Sequence, residues 1–384
     1  MRIAFVSFDF GEYCIRHANA LLEFGEVELV LPTAQLRGYE GLIDPRVDFR
    51  PFEKPRLRQP LRQIARSRWI VDQVAEFQPD VVHLQKGHLW FNAAIPWLGR
   101  YPLVITIHDP VHHVGDRSSA KTPQAVLDFG YRRADQVIVH GGPLKEQLHE
   151  RLGIERERIH VIPHIALGFG EKVSDLPPGL EPGASGRDGA RVLFFGRIWA
   201  YKGLDYLIRA QPAVSARVPD AKFVIAGRGE DFQKYRDMMG DPSAFEIHNR
   251  WLDDEERSRL FETADIVVLP YVEATQSGVV PVAYAHSRPV VATSTGGLPD
   301  IVDHGVTGLL VPPRDSESLA EAITSLLLDV ERRRRMGVAG RQKLVEECAA
   351  PVVARKTAAV YRAAISGSRL RSDPAPVPSE VGRS

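Results

Sequence analysis

The chain has 384 residues, of which 44% are hydrophobic and 26% are charged. At roughly 150 residues per domain this length predicts two domains, and the composition excludes a disordered or collagen-like protein. With 49 basic and 49 acidic side chains the formal net charge is zero, which gives no overall electrostatic reason to expect a nucleic-acid partner.

The two cysteines, Cys14 and Cys348, have neither metal-binding nor redox spacing, which excludes a disulfide framework. The first apolar run is broken at Asp9, and no run of about 18 apolar residues follows. The sequence therefore predicts a soluble cytoplasmic protein and leaves peripheral contact with the inner face of a membrane open.

Short apolar, β-branched runs alternate with helical patterns along the chain, which is typical of parallel strands buried on both faces of an α/β fold. In the first half the predicted strands are residues 3–8, 27–31, 81–84, 103–107, 136–140 and 160–162. In the second half they are residues 192–195, 223–226, 245–248, 266–269, 290–292 and 309–311. The two series predict two doubly wound, Rossmann-like domains, residues 1–174 and 190–345.

The segments outside these domains are also distinctive. Residues 175–189 are too rich in Pro and Gly for a helix or a central strand, which predicts a linker. Apolar residues at helical spacing predict a helix over 317–330, with a charged, solvated end at 331–335. We expect a further helix over 346–365 that crosses back to the first domain, and a disordered tail over 366–384.

The segment "VLFFGRIWAYKGLDYLIRA" places two cations after a buried strand. Arg197 and Lys202 follow the strand, and Gly203 precedes a helix. Cations at the carboxyl end of a strand, beside a helix N-terminus, favour a bound diphosphate. The alternative is an ordinary solvated loop.

A second segment combines a strand, a polar loop over residues 273–278 and an apolar helix over residues 279–285. The backbone N–H groups of Ser277, Gly278 and Val279 would lie free at the start of that helix, where they favour an anion. The sequence thus predicts a second anion-binding element in the same domain.

In order and spacing these segments resemble the donor-binding domain of family 4 of the retaining nucleotide-sugar glycosyltransferases, also called glycosyl transferases group 1. The motifs that carry the resemblance are "FGRIWAYKG", "VIAGRGED", "LFETADIVVLPY" and "SRPVVATSTGGLPDIVDHGVTGLLVPPRD". The resemblance implies the GT-B fold, in which an acceptor-side and a nucleotide-sugar-binding Rossmann-like domain face a central cleft.

The resemblance also implies roles for individual residues. Arg197 and Lys202 would bind the donor diphosphate and stabilise charge on the departing nucleotide, which fits the charge that glycosyl transfer builds on the leaving phosphate. His108, in "VITIHDP", would lie near the transferred sugar and act with the basic pair, and the strand that precedes it predicts a position facing the cleft. The other implied contacts are Ser277, Gly278 and Val279 with the diphosphate, and Arg228, Arg250, Trp251 and Leu252 with the nucleobase or ribose.

The chain departs from the family pattern at the positions of two family carboxylates, where it has Ala274 and Val282. Glu273 and Gln276 are then the candidate sugar contacts. In the first loop, Gly11 stands alone in place of the usual paired glycines.

A metal site is the alternative for the histidine segment. His108, His112 and His113 could suggest zinc, but Pro110 argues against the helix that ligands four residues apart need. No Asp-x-Asp motif occurs. The sequence therefore predicts neither a metal nor a cofactor, with the basic pair in the place of the metal.

The leading hypothesis is a metal-independent, retaining glycosyltransferase with a nucleoside-diphosphate sugar as donor. Its acceptor would be a saccharide, lipid-linked or small-molecule hydroxyl, as in surface-polysaccharide or glycolipid assembly. The alternatives are a sugar-nucleotide epimerase of the same fold and a catalytically silent nucleotide-sugar-binding protein. Tyr13, Arg16 and the basic residues of 56–68 are candidate acceptor or lipid-phosphate contacts, with solvated arginines as the alternative.

Overall fold

The structure, a computed structural model, describes residues 1–111, 122–167, 190–275 and 277–372. Within these ranges the chain forms two parallel sheets. The first contains β1 (Arg2–Ser7), β2 (Glu26–Pro32), β3 (Asp48–Phe52), β4 (Val81–Gln85), β5 (Leu103–Thr106), β6 (Gln136–Val139) and β7 (Ile159–Val161). The second contains β8 (Arg191–Phe195), β9 (Lys222–Ala226), β10 (Phe245–His248), β11 (Ile266–Leu269), β12 (Val290–Thr293) and β13 (Gly308–Val311).

Helices connect the strands of each sheet. The N-terminal domain has α1 (Gly11–Leu21), α2 (Pro60–Phe77), α3 (Gln124–Tyr131) and α4 (Gly142–Leu152). After β8 follow α5 (Leu204–Arg217), α6 (Gln233–Arg236), α7 (Asp254–Thr263), α8 (Val279–Ala285), α9 (Leu298–Ile301), α10 (Ser316–Leu328), α11 (Val330–Lys343) and α12 (Ala350–Ser372). Shorter 3₁₀ segments lie at Leu22–Phe24, Thr33–Gln35, Glu40–Leu42, Phe91–Leu98, Arg156–Arg158, Ala200–Lys202 and Pro242–Ala244, and a π-helical turn at Leu344–Cys348.

Both sheets are wound outward from their first strand. The strand orders are β3-β2-β1-β4-β5-β6-β7 and β10-β9-β8-β11-β12-β13. The order therefore reverses between β1 and β4 and again between β8 and β11, and such a reversal opens a crevice at the carboxyl ends of the strands. The two Rossmann-like sheets confirm the predicted fold class.

Every predicted strand is present within one residue at each end, but β3 has no counterpart in the prediction. It is an edge strand of sequence DFRPF, in which only Phe52 is fully buried. Pro51 is tolerated because an edge strand needs hydrogen bonds on one side only. No apolar run marks such a strand in the sequence.

The final helix packs on the N-terminal domain although it follows the C-terminal sheet in sequence. Val353, Ala354 and Tyr361 of α12 are fully buried in one apolar cluster with Phe5 of β1. The Tyr361 hydroxyl is 2.6 Å from Nδ1 of His83 in β4. This packing returns the end of the described chain to the first sheet.

The helix also continues through Ser372, whereas the sequence predicts a tail from residue 366. Each residue added to an existing helix adds a backbone hydrogen bond, so weak helix formers near its end do not stop it. The predicted linker at residues 175–189 and the last residues, 373–384, lie outside the described ranges. Among the residues described, no helix combines the length and the apolar character needed to cross a membrane.

The prediction of a solvated segment at 331–335 is wrong for Arg333. Asp329 caps a new helix, α11, which turns Arg333 back beneath the end of α10. Arg333 is 4% exposed, and its guanidinium donates to the Leu326 carbonyl and pairs with Asp265 at 3.2 Å. Unpaired carbonyls at the end of a helix attract a cation, which explains this position.

Candidate active site

Two cations lie where the second sheet reverses its strand order. β8 ends at Phe195, and Arg197 and Lys202 follow in the loop and 3₁₀ turn that lead to α5. Across the reversal, β11 ends at Leu269 and continues into the loop before α8. Both predicted anion-binding segments therefore lie at the same carboxyl edge of the sheet.

Backbone hydrogen bonds hold the two segments together. The Tyr201 carbonyl accepts from the N–H groups of Val272 at 2.8 Å and Glu273 at 3.3 Å. At Gly203, φ is +65° and a Cβ would lie 1.9 Å from the carbonyl oxygen of Pro270. Only glycine fits both conditions, which explains why it directly follows the basic pair.

Lys202 is packed against aromatic rings. Its Nζ lies 3.6 Å from the centre of the Tyr271 ring and 5.0 Å from that of Tyr201. The Tyr271 hydroxyl is 3.3 Å from Ser277 Oγ, so this ring connects the two anion-binding segments. Burial, and then the nearby Arg197, lower the pKa of Lys202 to about 7. A bound anion would favour the charged amine.

Arg197 remains exposed, with Nη2 donating to the Tyr201 hydroxyl at 3.1 Å. The loop contacts the start of α8, since a Cβ at Gly196 would lie 3.8 Å from Val279 Cγ2. The Val279 N–H donates to Ser277 Oγ at 3.2 Å rather than remaining free, as the sequence predicts. A serine hydroxyl commonly binds the backbone amide two residues on in a local turn. Of the three amides predicted to bind an anion, that of Val279 is therefore already engaged within the loop.

The residues predicted around the nucleobase lie at the ends of β9 and β10, which a backbone hydrogen bond joins. Arg228 is exposed, and the Trp251 side chain is 79% exposed. Arg250 pairs with Glu256 of α7, and Leu252 packs against the apolar core of the C-terminal domain. Arg228, Arg250 and Trp251 are thus the exposed members of this set, and Arg250 is already paired with a carboxylate.

His108 lies two residues beyond β5, on the edge that faces the cations. The prediction that it opens on the cleft is wrong, because Phe10 stacks on it at 4.2 Å and leaves 1% of it exposed. Gln85 Nε2 donates to its Nε2 at 2.6 Å, which puts the proton of the neutral ring on Nδ1. That Nδ1 has no hydrogen-bond partner among the residues described. Burial, followed by neighbouring histidines, keeps the pKa of His108 well below its ordinary value.

His108 belongs to a cluster of five buried histidines. The ring centres of His108, His140 and His164 are 4.7, 5.2 and 5.8 Å apart, and those of His17 and His83 are 6.0 Å apart. Burial lowers the pKa of His17 and His164 to about 3 and that of His140 to about 4. The cluster is absent from the sequence-based prediction, although three of its members lie in a strand or within two residues of the end of one.

Asp109, the next residue, reaches the C-terminal domain. Its carboxylate accepts a hydrogen bond from Thr275 Oγ1 at 2.5 Å. A second contact between the domains joins the Gly142 N–H to Asp300 Oδ2 at 2.6 Å. Residues this far apart in sequence leave no local pattern. In the sequence, only its position next to His108 indicates that Asp109 lies near the site.

Glu273, the predicted sugar contact, lines a cavity of about 520 Å³ between the domains. The start of α4 lines it from the N-terminal side, and Glu273, Ala274 and Thr275 line it from the C-terminal side. The structure therefore brings Glu273 to the cleft. Gln276, the other predicted sugar contact, lies outside the described residues.

Gly11 faces another loop rather than open space. A Cβ there would lie 1.9 Å from the Gln35 carbonyl oxygen, and the Gly11 N–H donates to Gln35 Oε1 at 3.3 Å. Tyr13 and Arg16, predicted acceptor contacts, are buried, and Arg16 pairs with Glu12 at 3.0 Å. Those two predictions are wrong because Tyr13 packs against His140 and His164, and Arg16 is buried together with its partner Glu12.

In the part of the chain that the structure describes, no three His, Cys, Asp or Glu side chains come together as metal ligands. His112 and His113 lie outside it. The absence of a metal therefore stays a prediction.

Two facing Rossmann-like domains, with a basic pair at the cleft edge of the second, form the arrangement of a GT-B glycosyltransferase. Comparison with known proteins identifies the family. Residues 11–165 match the model described as Glycosyltransferase Family 4, and residues 189–329 match Glycosyl transferases group 1. The chain belongs to this family.

Individual proteins agree with the assignment. Glycogen synthase of Mycobacterium tuberculosis is 31% identical over 308 residues, which are 76% of this chain and 71% of that protein. D-inositol 3-phosphate glycosyltransferase of Nocardia farcinica is 29% identical and covers 75% of this chain and 65% of its own length. Anabaena HepE in complex with UDP has the same fold, with a TM-score of 0.73 at 18% identity over 94% of this chain and 100% of that one.

The chain is accordingly a nucleotide-sugar glycosyltransferase. Neither the epimerase nor the silent binding protein is favoured by these relatives, whose names are those of glycosyltransferases.

Proposed function

We propose that this glycosyltransferase is retaining and metal-independent, and that it transfers a sugar from a nucleoside-diphosphate sugar to an acceptor hydroxyl in the cleft. The observation that supports this most directly is the convergence of Arg197, Lys202 and the Tyr271–Ser277 loop at the strand reversal of the second sheet. The likeness to HepE, whose structure holds UDP, supports the same class of donor.

Arg197 and Lys202 would bind the diphosphate and stabilise the leaving group. During transfer the bond between the anomeric carbon and the phosphate oxygen breaks, and the bonding electrons go to the phosphate. Cations fixed beside that oxygen lower the barrier, because they need no rearrangement as the charge develops. Lys202, with a pKa of about 7, would become fully charged when the diphosphate binds. These two cations would supply the stabilisation that a divalent metal provides in other enzymes.

Retention requires that the acceptor oxygen bond to the anomeric carbon on the face that the nucleotide leaves. The acceptor proton would pass to the departing phosphate oxygen, which serves as the base. Val282 of α8, at one of the two family carboxylate positions, is buried in the apolar core, and Ala274 stands at the other. Because the departing phosphate serves as the base, the mechanism needs no carboxylate at position 274 or 282.

His108 would position the transferred sugar. A buried N–H without a partner costs about 1–3 kcal/mol, and a sugar oxygen would satisfy the donor on Nδ1 if the Phe10 ring that covers His108 moved aside when the donor binds. Glu273 and Gln276 would contact the same sugar, and Arg228 and Trp251 would contact the nucleobase.

The acceptor would be a hydroxyl of a saccharide, a lipid-linked compound or a small molecule. The relatives include a glycogen synthase and a D-inositol 3-phosphate glycosyltransferase, which supports both saccharide and small phosphorylated acceptors. We expect a role in surface-polysaccharide or glycolipid assembly in the cytoplasm, at the inner face of the membrane where the acceptor is lipid-linked.

The proposal is tested by a thermal-shift screen of nucleoside diphosphates and their sugar conjugates, since a ligand that binds only the folded state raises Tm. We expect one base to give a selective shift. That donor is then incubated with acceptors in the presence of EDTA, and NMR determines the anomeric configuration of the product. An inverted product would contradict retention, and activity that EDTA abolishes and Mg²⁺ restores would contradict metal independence. Interconversion of the donor sugar without an acceptor would indicate an epimerase.

A further inference from the structure

A second concave surface lies on the N-terminal domain, between α2 and the segment that leads into it. This basic groove has a volume of about 810 Å³. Its walls carry four cations, Lys54, Arg56, Arg62 and Arg66, together with Gln59 and Trp69. Glu53 is the acidic residue at its rim.

The groove concentrates positive charge in a chain whose formal net charge is zero. Residues 54–71 contain six basic side chains and no acidic one. Other arginines of this domain pair with carboxylates, as Arg46 does with Asp44 and Arg151 does with Asp128. Among the described residues no carboxylate pairs with Arg56, Arg62 or Arg66, so these guanidinium groups are available to an external anion.

Several contacts fix the walls of the groove. Arg66 lies over the Trp69 ring at 4.9 Å from its centre, which holds its guanidinium in place. Lys54 Nζ donates to the Phe8 carbonyl at 2.9 Å and pairs with Asp9. The Trp90 indole N–H donates to the Leu57 carbonyl at 3.1 Å. Lys54 and Arg66 are therefore held in place in the wall of the groove, whereas Arg56 and Arg62 line it as exposed side chains.

The position of the groove suggests its purpose. Lys54 bonds to the loop between β1 and α1, which lies at the strand reversal of the N-terminal sheet. The carboxyl edge at such a reversal is where a sheet of this type binds its ligand. In the C-terminal domain the corresponding edge carries Arg197 and Lys202.

We propose that the basic groove binds an anionic group, phosphate or carboxylate, that the acceptor carries. The proposal rests on the proposed function, since it assigns a chemical class to the acceptor. Guanidinium groups bind these anions through paired, charge-assisted hydrogen bonds, and Arg56, Arg62 and Arg66 supply three of them around one groove.

An anionic lipid surface is the competing occupant, because α2 also presents apolar side chains. Leu61 is 82% and Ile64 is 50% exposed. Arg58 and Arg68 are exposed and do not line the groove. A flat bilayer would use these outward residues, whereas a discrete anion would use those that line the groove.

The test compares two double variants that remove the same charge from neighbouring exposed positions. Arg56→Gln with Arg62→Gln changes the groove, and Arg58→Gln with Arg68→Gln is the matched control. Each full-length protein is titrated calorimetrically with inorganic phosphate at low ionic strength, and separately with phosphatidylglycerol vesicles. A third protein, with Arg197→Ala and Lys202→Ala, identifies phosphate that binds at the donor site.

We expect phosphate affinity to fall at least tenfold in the groove variant and to persist in both other proteins. Equal phosphate affinity in the groove variant and the wild type would overturn the proposal, as would an equal loss in the two glutamine variants. The surface would instead be assigned to lipid by two results together. The Arg58 and Arg68 variant would lose more vesicle binding than the groove variant, and no phosphate would bind in the groove. Failure of the proposed function would give a different result from failure of the groove proposal. Nucleoside diphosphates would then cause no thermal shift, while phosphate would still bind in the groove.

Discussion

The two edges of the cleft are built from opposite chemistry. On the C-terminal edge Arg197 is exposed and Lys202 is partly buried, and both present cations at the strand reversal. On the N-terminal edge His108, His140 and His164 are buried, and burial lowers the pKa of each below its ordinary value. This chain therefore exposes cations where a nucleotide would leave and buries neutral histidines at the facing edge. Neutral rings can hydrogen-bond a sugar without competing for the diphosphate.

The largest effect expected from this contrast is acid sensitivity of the N-terminal domain. His17, His140 and His164 have pKa values of about 3, 4 and 3 in the folded chain, whereas an unfolded histidine titrates near ~6.5. As the pH falls from about 6.5 to about 4, the unfolded chain binds protons that the native chain does not, so stability falls. At about 1.4 kcal/mol for each histidine and pH unit, the three together lower the free energy of unfolding by about 4 kcal/mol per unit.

Urea unfolding at about pH 7.5, 6 and 5 measures this loss. Proteolysis at the same pH values and at sub-denaturing urea concentrations shows which domain opens, and we expect the N-terminal sheet to be cleaved first. Equal unfolding midpoints at all three pH values would show that the histidine cluster does not control stability.

The next largest effect comes from the charged edge. Arg197→Ala and Lys202→Ala should each lower kcat by about 100- to 1000-fold, the range found when one preorganised group that stabilises transition-state charge is removed. Arg209→Ala is the matched control, because Arg209 forms an exposed pair with Asp205 on α5. Steady-state kinetics with the donor identified by thermal shift measures kcat for each variant. Wild-type kcat in both site variants would remove the basic pair from the active site.

On the N-terminal edge, the His108→Ala substitution should lower kcat by about 10- to 100-fold while nucleoside-diphosphate affinity stays at the wild-type value. The reason is that Nδ1 of this ring would contact the sugar, and a hydrogen bond left unmade costs about 1–3 kcal/mol. His108→Asn, which retains an N–H donor, should recover part of the loss. Full activity of the alanine variant would contradict this role.

The smallest effect concerns the contact that joins the edges. Asp109→Ala and Thr275→Val each remove the hydrogen bond between the domains. A hydrogen bond to a charged group contributes about 1.5–3 kcal/mol, whose lower end corresponds to roughly a tenfold lower kcat/KM. If the two residues act through this bond, the double variant should be no worse than either single one. Additive losses would show that they act independently.

The contrast between the two edges also explains which site residues could be predicted from the sequence. Arg197, Lys202 and Gly203 lie within seven residues that follow one strand, so a local pattern predicts their edge. The buried strands were equally visible, because each is a continuous apolar run bounded by turns. The strand β3 was not visible, since an edge strand with a proline carries no such run.

The buried histidines of the N-terminal edge could not be predicted from a local pattern. His17 and His83 come from different elements, and Tyr361 of the returning helix α12 completes their surroundings. Burial of Arg16 and Arg333 likewise depends on distant packing, whereas their sequence neighbourhoods are typical of solvated helices. The local pattern therefore predicts the strand ends, and tertiary contacts decide which polar groups there remain open.

In the proposed mechanism Arg197 and Lys202 bind the donor diphosphate. This binding is tested by the pH dependence of nucleoside-diphosphate affinity in the wild type and in Lys202→Met. Because the pKa of Lys202 is about 7 in the free protein and an adjacent anion raises it, binding takes up a proton above that pH. Affinity of the wild type should therefore fall from about pH 7 to about pH 9, approaching tenfold per unit, while the variant binds weakly with little pH dependence. A wild-type affinity that is constant over this range and equal to that of Lys202→Met would contradict the claim.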